Sequence, residues 1–191
     1  MTAPKAPPPP PSDFDRRPRR IQGDPTPTPI FTAVGVALTI WETLDGELGD
    51  LFDALTPTQK RIAHNWYANT ESSSARFNMI RQQSRLHLHK NKDILADIEA
   101  LINDCQNLAA RRNELAHGRI YGMGEQGFIL GPSTVKRSNF PDRVAKFQYN
   151  SEDVRHYIDM FKVAQTRLHG IMRRLKREYD ENVVLCQFQD P

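Results

Sequence analysis

The sequence predicts a mainly α protein: an up-and-down helical bundle of four to five helices with a small β-hairpin inserted before the last helix. Three observations predict it. Between Ile30 and Tyr179, apolar residues recur at three- and four-residue steps in long runs, the period of helices that bury one face. That rhythm breaks over residues 119–150, where glycines at 122, 124, 127 and 131 alternate with Ile120, Tyr121, Phe128, Ile129 and Leu130. The 191 residues suffice for one domain with a real core, and no internal repeat divides them.

Residues 1–29 read as a proline- and arginine-rich tail. Pro7 to Pro11 are consecutive, Pro18, Pro25, Pro27 and Pro29 follow, and Arg16, Arg17, Arg19 and Arg20 lie between. Proline removes backbone donors and little apolar surface is available to bury, so this stretch is expected to be disordered or polyproline II. It is a solvated leader, an SH3-type ligand or a basic arm for phosphates. Residues 30–180 are the expected helical domain, with its β insert at 119–150, and residues 181–191 a C-terminal tail.

The first helix is expected from Ile30 to about Leu55, with Val34, Leu38, Trp41, Leu48, Phe52 and Leu55 on one face. Thr56 and Pro57 read as a cap and first turn of a second helix running to about Asn69, with Ile62, Ala63, Trp66 and Tyr67 inward. A third spans about Ser74 to Lys90 and carries Phe77, Ile80 and Leu88. The fourth spans about Lys92 to His117. Ile94, Ile98, Leu101, Ile102, Cys105, Leu108, Ala109, Arg112 and Ala116 make its stripe, and Gly118 ends it. After a polar loop from Ser133 to Arg143, Ser151 with Glu152 and Asp153 opens the last helix, to about Tyr179. Arg173, Arg174, Lys176 and Arg177 would complement the dipole at its end.

Several classes are disfavoured by composition. A formal net charge of +3 permits nucleic-acid binding without arguing for it. The two cysteines, Cys105 and Cys186, form no CxxC or Cys/His zinc spacing, so no metal site and no cofactor is expected. Cys105 falls on a core face, and reduced thiols in a cytoplasmic setting are the default. His87 and His89 read as surface residues, and His64, His156 and His169 as isolated ones. The longest apolar run, Ile30 to Trp41, is interrupted by threonine and glycine and is too short to span a bilayer; no signal peptide is recognised.

The chemistry concentrates at the end of the fourth helix. Arg112 lies in line with the core stripe, where a cation must be paired or serve a polar site. Asn113 and His117 are four residues apart, on one helix face, whereas Arg112 and His117 are five apart and diverge. Cleaving RNA with its own 2′-hydroxyl needs a base for that hydroxyl, an acid for the leaving 5′-oxygen and positive charge at the phosphate. Histidine can serve either proton transfer near neutral pH, and arginine can hold two phosphate oxygens at once. Either a frayed last turn or a second subunit would have to bring Arg112 and His117 to one phosphate. Glu114 reads as an exposed helix residue, and Arg111 as a solvated or phosphate-touching neighbour. In the insert, Lys136, Arg137, Arg143 and Lys146 interleave with Tyr121, Phe140 and Phe147. That pattern suits RNA contact; it equally suits a solvated hairpin that packs its aromatics on the helices.

Arg112-Asn113-Glu114-Leu115-Ala116-His117, at the end of a long core helix with further helices on both sides, resembles the arginine, polar residue, three variable residues, histidine motif of HEPN domains (higher eukaryotes and prokaryotes nucleotide-binding). The resemblance implies a metal-independent endoribonuclease that works as a homodimer, two motifs facing one cleft, with Arg112, Asn113 and His117 catalytic. It also implies a toxin or defence effector beside a nucleotidyltransferase-type antitoxin. The other function open to it is a non-catalytic HEPN-like module that dimerises and binds a protein partner or nucleotide. The plain structural reading is a helix end where Arg112 pairs with an acid and His117 caps the last carbonyls.

Overall fold

The computed structural model describes residues 14–58, 61–133 and 146–187, with side chains as far as Glu178. Five helices follow in order: α1 (Thr28–Leu55), α2 (Ile62–Ala68), α3 (Ser73–His87), α4 (Lys92–His117) and α5 (Ser151–Gln187). Between α4 and α5 stand β1 (Gly118–Gly122) and β2 (Phe128–Pro132), an antiparallel hairpin in which Ile120 faces Leu130. The chain is therefore mainly helical with a small hairpin before the last helix, as its periodicity predicts.

The long helices α1 and α5 pack on each other, α4 lies against α5 and α3, and α2 and α3 cover α1. Their apolar stripes meet in one core that includes Leu44, Leu48, Ile98, Leu101, Phe161 and Leu168, all fully buried. Trp41 and Phe161 meet edge to face with centroids 5.3 Å apart. Burying each such side chain contributes about 1.5–3 kcal/mol. On α4 the buried stripe ends with Leu108, Ala109 and Leu115; Ala116 is exposed and Arg112 is at the edge, so the stripe turns away from the expected Arg112–Ala116 line.

Several expectations need correction. Thr56 does not cap α2: its hydroxyl donates to the Phe52 carbonyl at 2.7 Å and its amide to Asp53, which closes α1 instead. α2 starts later, after Arg61 in a left-handed conformation, with the Asp53 carboxylate accepting from the Arg61 and His64 amides. On so short a helix Ala63 and Tyr67 take the inner face, and Trp66 is 53% exposed rather than inward. α5 continues through residues 181–187, which contain no glycine or proline, so Arg173 to Arg177 lie within the helix and not at its end. Ser151 is not the cap of α5. Asn150 is: its side chain accepts from the Asp153 amide, Asp153 accepts from the Asn150 amide, and Ser151 is bound by Asp24.

A further correction concerns the N-terminal stretch. Residues 14–29 are laid down on the bundle, whereas Met1 to Ser12 and Asp13, including Pro7 to Pro11, lie outside the described residues. The physical reason is charge. The domain buries the Asp153 side chain completely and leaves that of Glu114 only 10% exposed, and buried carboxylates must be paired. Arg20 meets Asp153 at 3.1 Å and Arg16 meets Glu114. Further along, Asp24 pairs with Phe128 of β2 in antiparallel fashion. A Cβ at Gly23 would stand 2.2 Å from the Phe128 carbonyl oxygen, so only glycine permits this approach. The same edge of β2 pairs Leu130 with Tyr149 through an isolated bridge. Few apolar residues were needed to order the segment, because polar hooks did it.

Candidate functional site

The helix α4 runs unbroken to His117 and passes straight into β1. Gly118 has φ −71°, extended and not left-handed; glycine is needed there because a Cβ would come within 2.8 Å of the Glu114 carbonyl oxygen and of Leu130. A regular helix places residues five apart about 140° from each other around its axis. Arg112 and His117 accordingly face different concavities, and the frayed last turn that would have joined them is absent.

The first concavity, about 740 Å³, lies between α1, α3 and α4 and is lined by Glu42, Asp45, Arg76, Arg112 and Asn113 among others. Arg112 donates to Glu42 Oε1 at 2.6 Å and to the Asn113 amide oxygen at 3.3 Å. Its side chain is 31% exposed, so it is neither a core cation nor a free one. Beside it, Asp45 is buried and accepts from Arg76 and, at 3.1 Å, from the Tyr67 hydroxyl. Burial and the Asp45 charge push the Tyr67 hydroxyl well above its ordinary pKa. Among the described residues, three carboxylates and two guanidiniums line this groove, a surplus of one negative charge.

The second concavity, about 360 Å³, lies on the other side of α4 and is lined by Arg16, Ala110, Arg111, Asn113, Glu114, His117, Pro132, Ser133, Lys146 and Phe147. Ala110, Asn113, Glu114 and His117 occupy one face of the helix at steps of three and four. His117 and Asn113 are exposed, and among the described residues no hydrogen bond engages the His117 ring. Among the described residues, three fixed cations face one carboxylate in the lining of this cleft, a surplus of two positive charges before His117 is counted. Asn113 alone among the motif residues lines both concavities.

Glu114 and Arg111 are not solvated. Their side chains are 10% and 12% exposed, and Arg111 Nε stands 3.5 Å from Glu114 Oε2. Glu114 also accepts from Arg16 and, at 2.7 Å, from the Tyr149 hydroxyl. Desolvation, with the Tyr157 and Glu114 contacts behind it, holds Tyr149 protonated far above the usual phenol range. Arg16, held by Glu114, is raised as well. Neither Glu114 as a hub nor Arg16 as a lining residue is visible in the local sequence pattern.

The motif is therefore divided: Asn113 and His117 share the basic cleft with Arg111, and Arg112 belongs to the neighbouring groove. Lys136, Arg137 and Arg143 lie outside the described residues. The chain matches no protein-family model, no curated protein and no solved structure. Elsewhere, His64 and His169 are less isolated than expected, since they face Asp50 at 3.1 Å and Glu47 at 3.0 Å. Cys105 is a buried free thiol, its pKa pushed up to about 12 by desolvation. Among the described residues no group of three His, Cys, Asp or Glu side chains could hold a metal ion, and no helix is long and apolar enough to cross a membrane.

Proposed function

We propose that the chain is a metal-independent endoribonuclease of HEPN type, with His117 as the proton-transfer group and the basic cleft as the seat of the RNA backbone. The observation that carries this reading is an exposed imidazole beside Asn113 on one helix face, over a cleft with surplus positive charge. An exposed imidazole with no hydrogen bond among the described residues can serve as a general base or acid. Arginine and lysine around it lower the cost of bringing in a phosphodiester. One cleft holds one His117, and cleavage through the 2′-hydroxyl moves two protons. A homodimer whose α4 ends meet would supply both imidazoles and could bring Arg112 of one copy toward His117 of the other. A toxin or defence effector restrained by a nucleotidyltransferase-type antitoxin is the setting that goes with this chemistry.

The Arg112–Glu42 pair favours a second reading, a non-catalytic module that dimerises and binds a protein partner or nucleotide. One experiment separates them. The purified chain is incubated with RNA in EDTA and the products are examined for 2′,3′-cyclic phosphate ends. The nuclease reading expects such ends from wild type and none above background from His117→Ala; equal cleavage by both proteins would sink it.

A further inference from the structure

The N-terminal segment reaches the same cleft. Arg16 comes from that segment, 98 residues from Glu114 in sequence, yet its guanidinium lines the His117 cleft beside Arg111. One carboxylate holds both: Arg16 Nε donates to Glu114 Oε1 at 3.0 Å, and Arg111 Nε lies 3.5 Å from Oε2. Behind the carboxylate runs a chain of donors. The Arg17 amide donates to the Tyr157 hydroxyl at 2.8 Å, Tyr157 to Tyr149 at 3.3 Å, and Tyr149 to Glu114 at 2.7 Å. Tyr149 and Tyr157 are fully buried, so this chain fixes where Glu114 stands.

One negative charge cannot neutralise two guanidiniums. Arg111 Nε is buried and makes no hydrogen bond among the described residues, and Lys146 adds a third cation at the rim. Planar guanidiniums held in place match the oxygens of a phosphate, which would supply the missing charge and acceptors. We infer that Arg16 and Arg111 form a clamp for an RNA phosphate adjacent to the one at His117, and that Glu114 is the positioning residue that sets the clamp. The placement relative to His117 rests on the nuclease reading; the clamp itself does not.

The test is binding of a short, fully 2′-O-methylated single-stranded RNA, which lacks the nucleophile for cleavage, by the full chain over a range of salt concentrations. Arg16→Ala weakens binding roughly tenfold and lowers the slope of log affinity against log salt by about 1. Arg16→Lys restores the slope without restoring the affinity, because the charge returns without the fork. Arg20→Ala loses the Asp153 contact of the same segment but no cleft cation, and keeps the wild-type slope. Glu114→Gln removes a negative charge from the cleft yet binds more weakly, because the anchor is lost; a merely diffuse basic cleft would bind more tightly. A wild-type slope in Arg16→Ala, tighter binding by Glu114→Gln, or no binding by wild type overturns the clamp. A chain that binds through Arg16 but leaves unmodified RNA intact keeps the clamp and loses the nuclease reading. One that cleaves RNA with unchanged KM as Arg16→Ala does the reverse.

Discussion

On one side of α4, Arg112 and Arg76 each face a carboxylate of their own, Glu42 and Asp45. On the other side Arg16 and Arg111 share Glu114, and Lys146 stands beyond them. The first groove has about twice the volume of the second, 740 against 360 Å³, yet each of its guanidiniums has a carboxylate of its own. Among the described residues, the smaller cleft holds the excess positive charge and the exposed imidazole. What marks a polar concavity as a place for an anion is the balance of charge within it, not its size and not the presence of a motif arginine. Arg112, the first residue of the motif, sits on the answered side.

The comparison can be broken most sharply at His117. If the cleft is the reacting side, His117→Ala lowers the rate of cyclic-phosphate formation by about 10²–10⁴, with the far-UV circular dichroism of wild type because the side chain is exposed. The answered side should instead respond in stability. Asp45→Ala leaves Arg76 without its carboxylate in a site where its side chain is 19% exposed. A loss of about 3 kcal/mol is expected, the lower end for breaking a buried pair, read from the urea midpoint. If that variant loses RNA cleavage at full stability, the two sides are not separate.

Alkaline pH acts on groups from both sides. Tyr67, Tyr149 and Tyr157 start from an ordinary 10.0 and are raised by burial, and Cys105 is raised from 9.0 to about 12. A group whose folded pKa is raised contributes stability that is complete below its unfolded pKa and is lost as pH rises through the folded one. Stability is therefore expected to fall from pH 9 upward, first through Cys105 and then through the tyrosines. Denaturation midpoints that hold constant above pH 10 would contradict the burial of these hydroxyls.

Two smaller effects sharpen the contrast. Tyr149→Phe removes a donor from Glu114 and an acceptor from Tyr157 inside the core. About 1–2 kcal/mol of stability should go with it, seen in urea denaturation. Glu42→Gln breaks a pair whose carboxylate side chain is 59% exposed, so stability changes by less than about 1 kcal/mol. Its value lies in the rate: faster cleavage would mean that Glu42 restrains a working Arg112, and an unchanged rate would leave Arg112 a structural residue of the groove.

The helices were legible because burial of one face leaves a period in the sequence. α4 occupies the bounds its pattern predicts, and the glycine-rich rhythm after it marks the hairpin. The divergence of Arg112 and His117 was equally legible, since it follows from their spacing alone. What the local pattern could not carry was pairing at a distance. Glu114 looks like an exposed residue between Asn113 and Leu115 until Arg16 and Tyr149 arrive from 98 and 35 residues away. Proline and arginine in residues 14–29 look like a solvated tail until buried acids on α4 and α5 claim the arginines, Asp153 from 133 residues off. Periodicity records which face is dry; it does not record which charge is waiting inside.

At the junction of α4 and β1 no residue separates helix from strand, and Gly118 is wedged between the Glu114 carbonyl and Leu130. This corner has no hinge. His117 is thus mounted on a rigid joint, and its side-chain torsions are the freedom left to it. If the cleft is the reacting side, a site so mounted would be preorganised: it would select a ligand that already fits, with little entropy left to lose on binding and little capacity to close around a poor one.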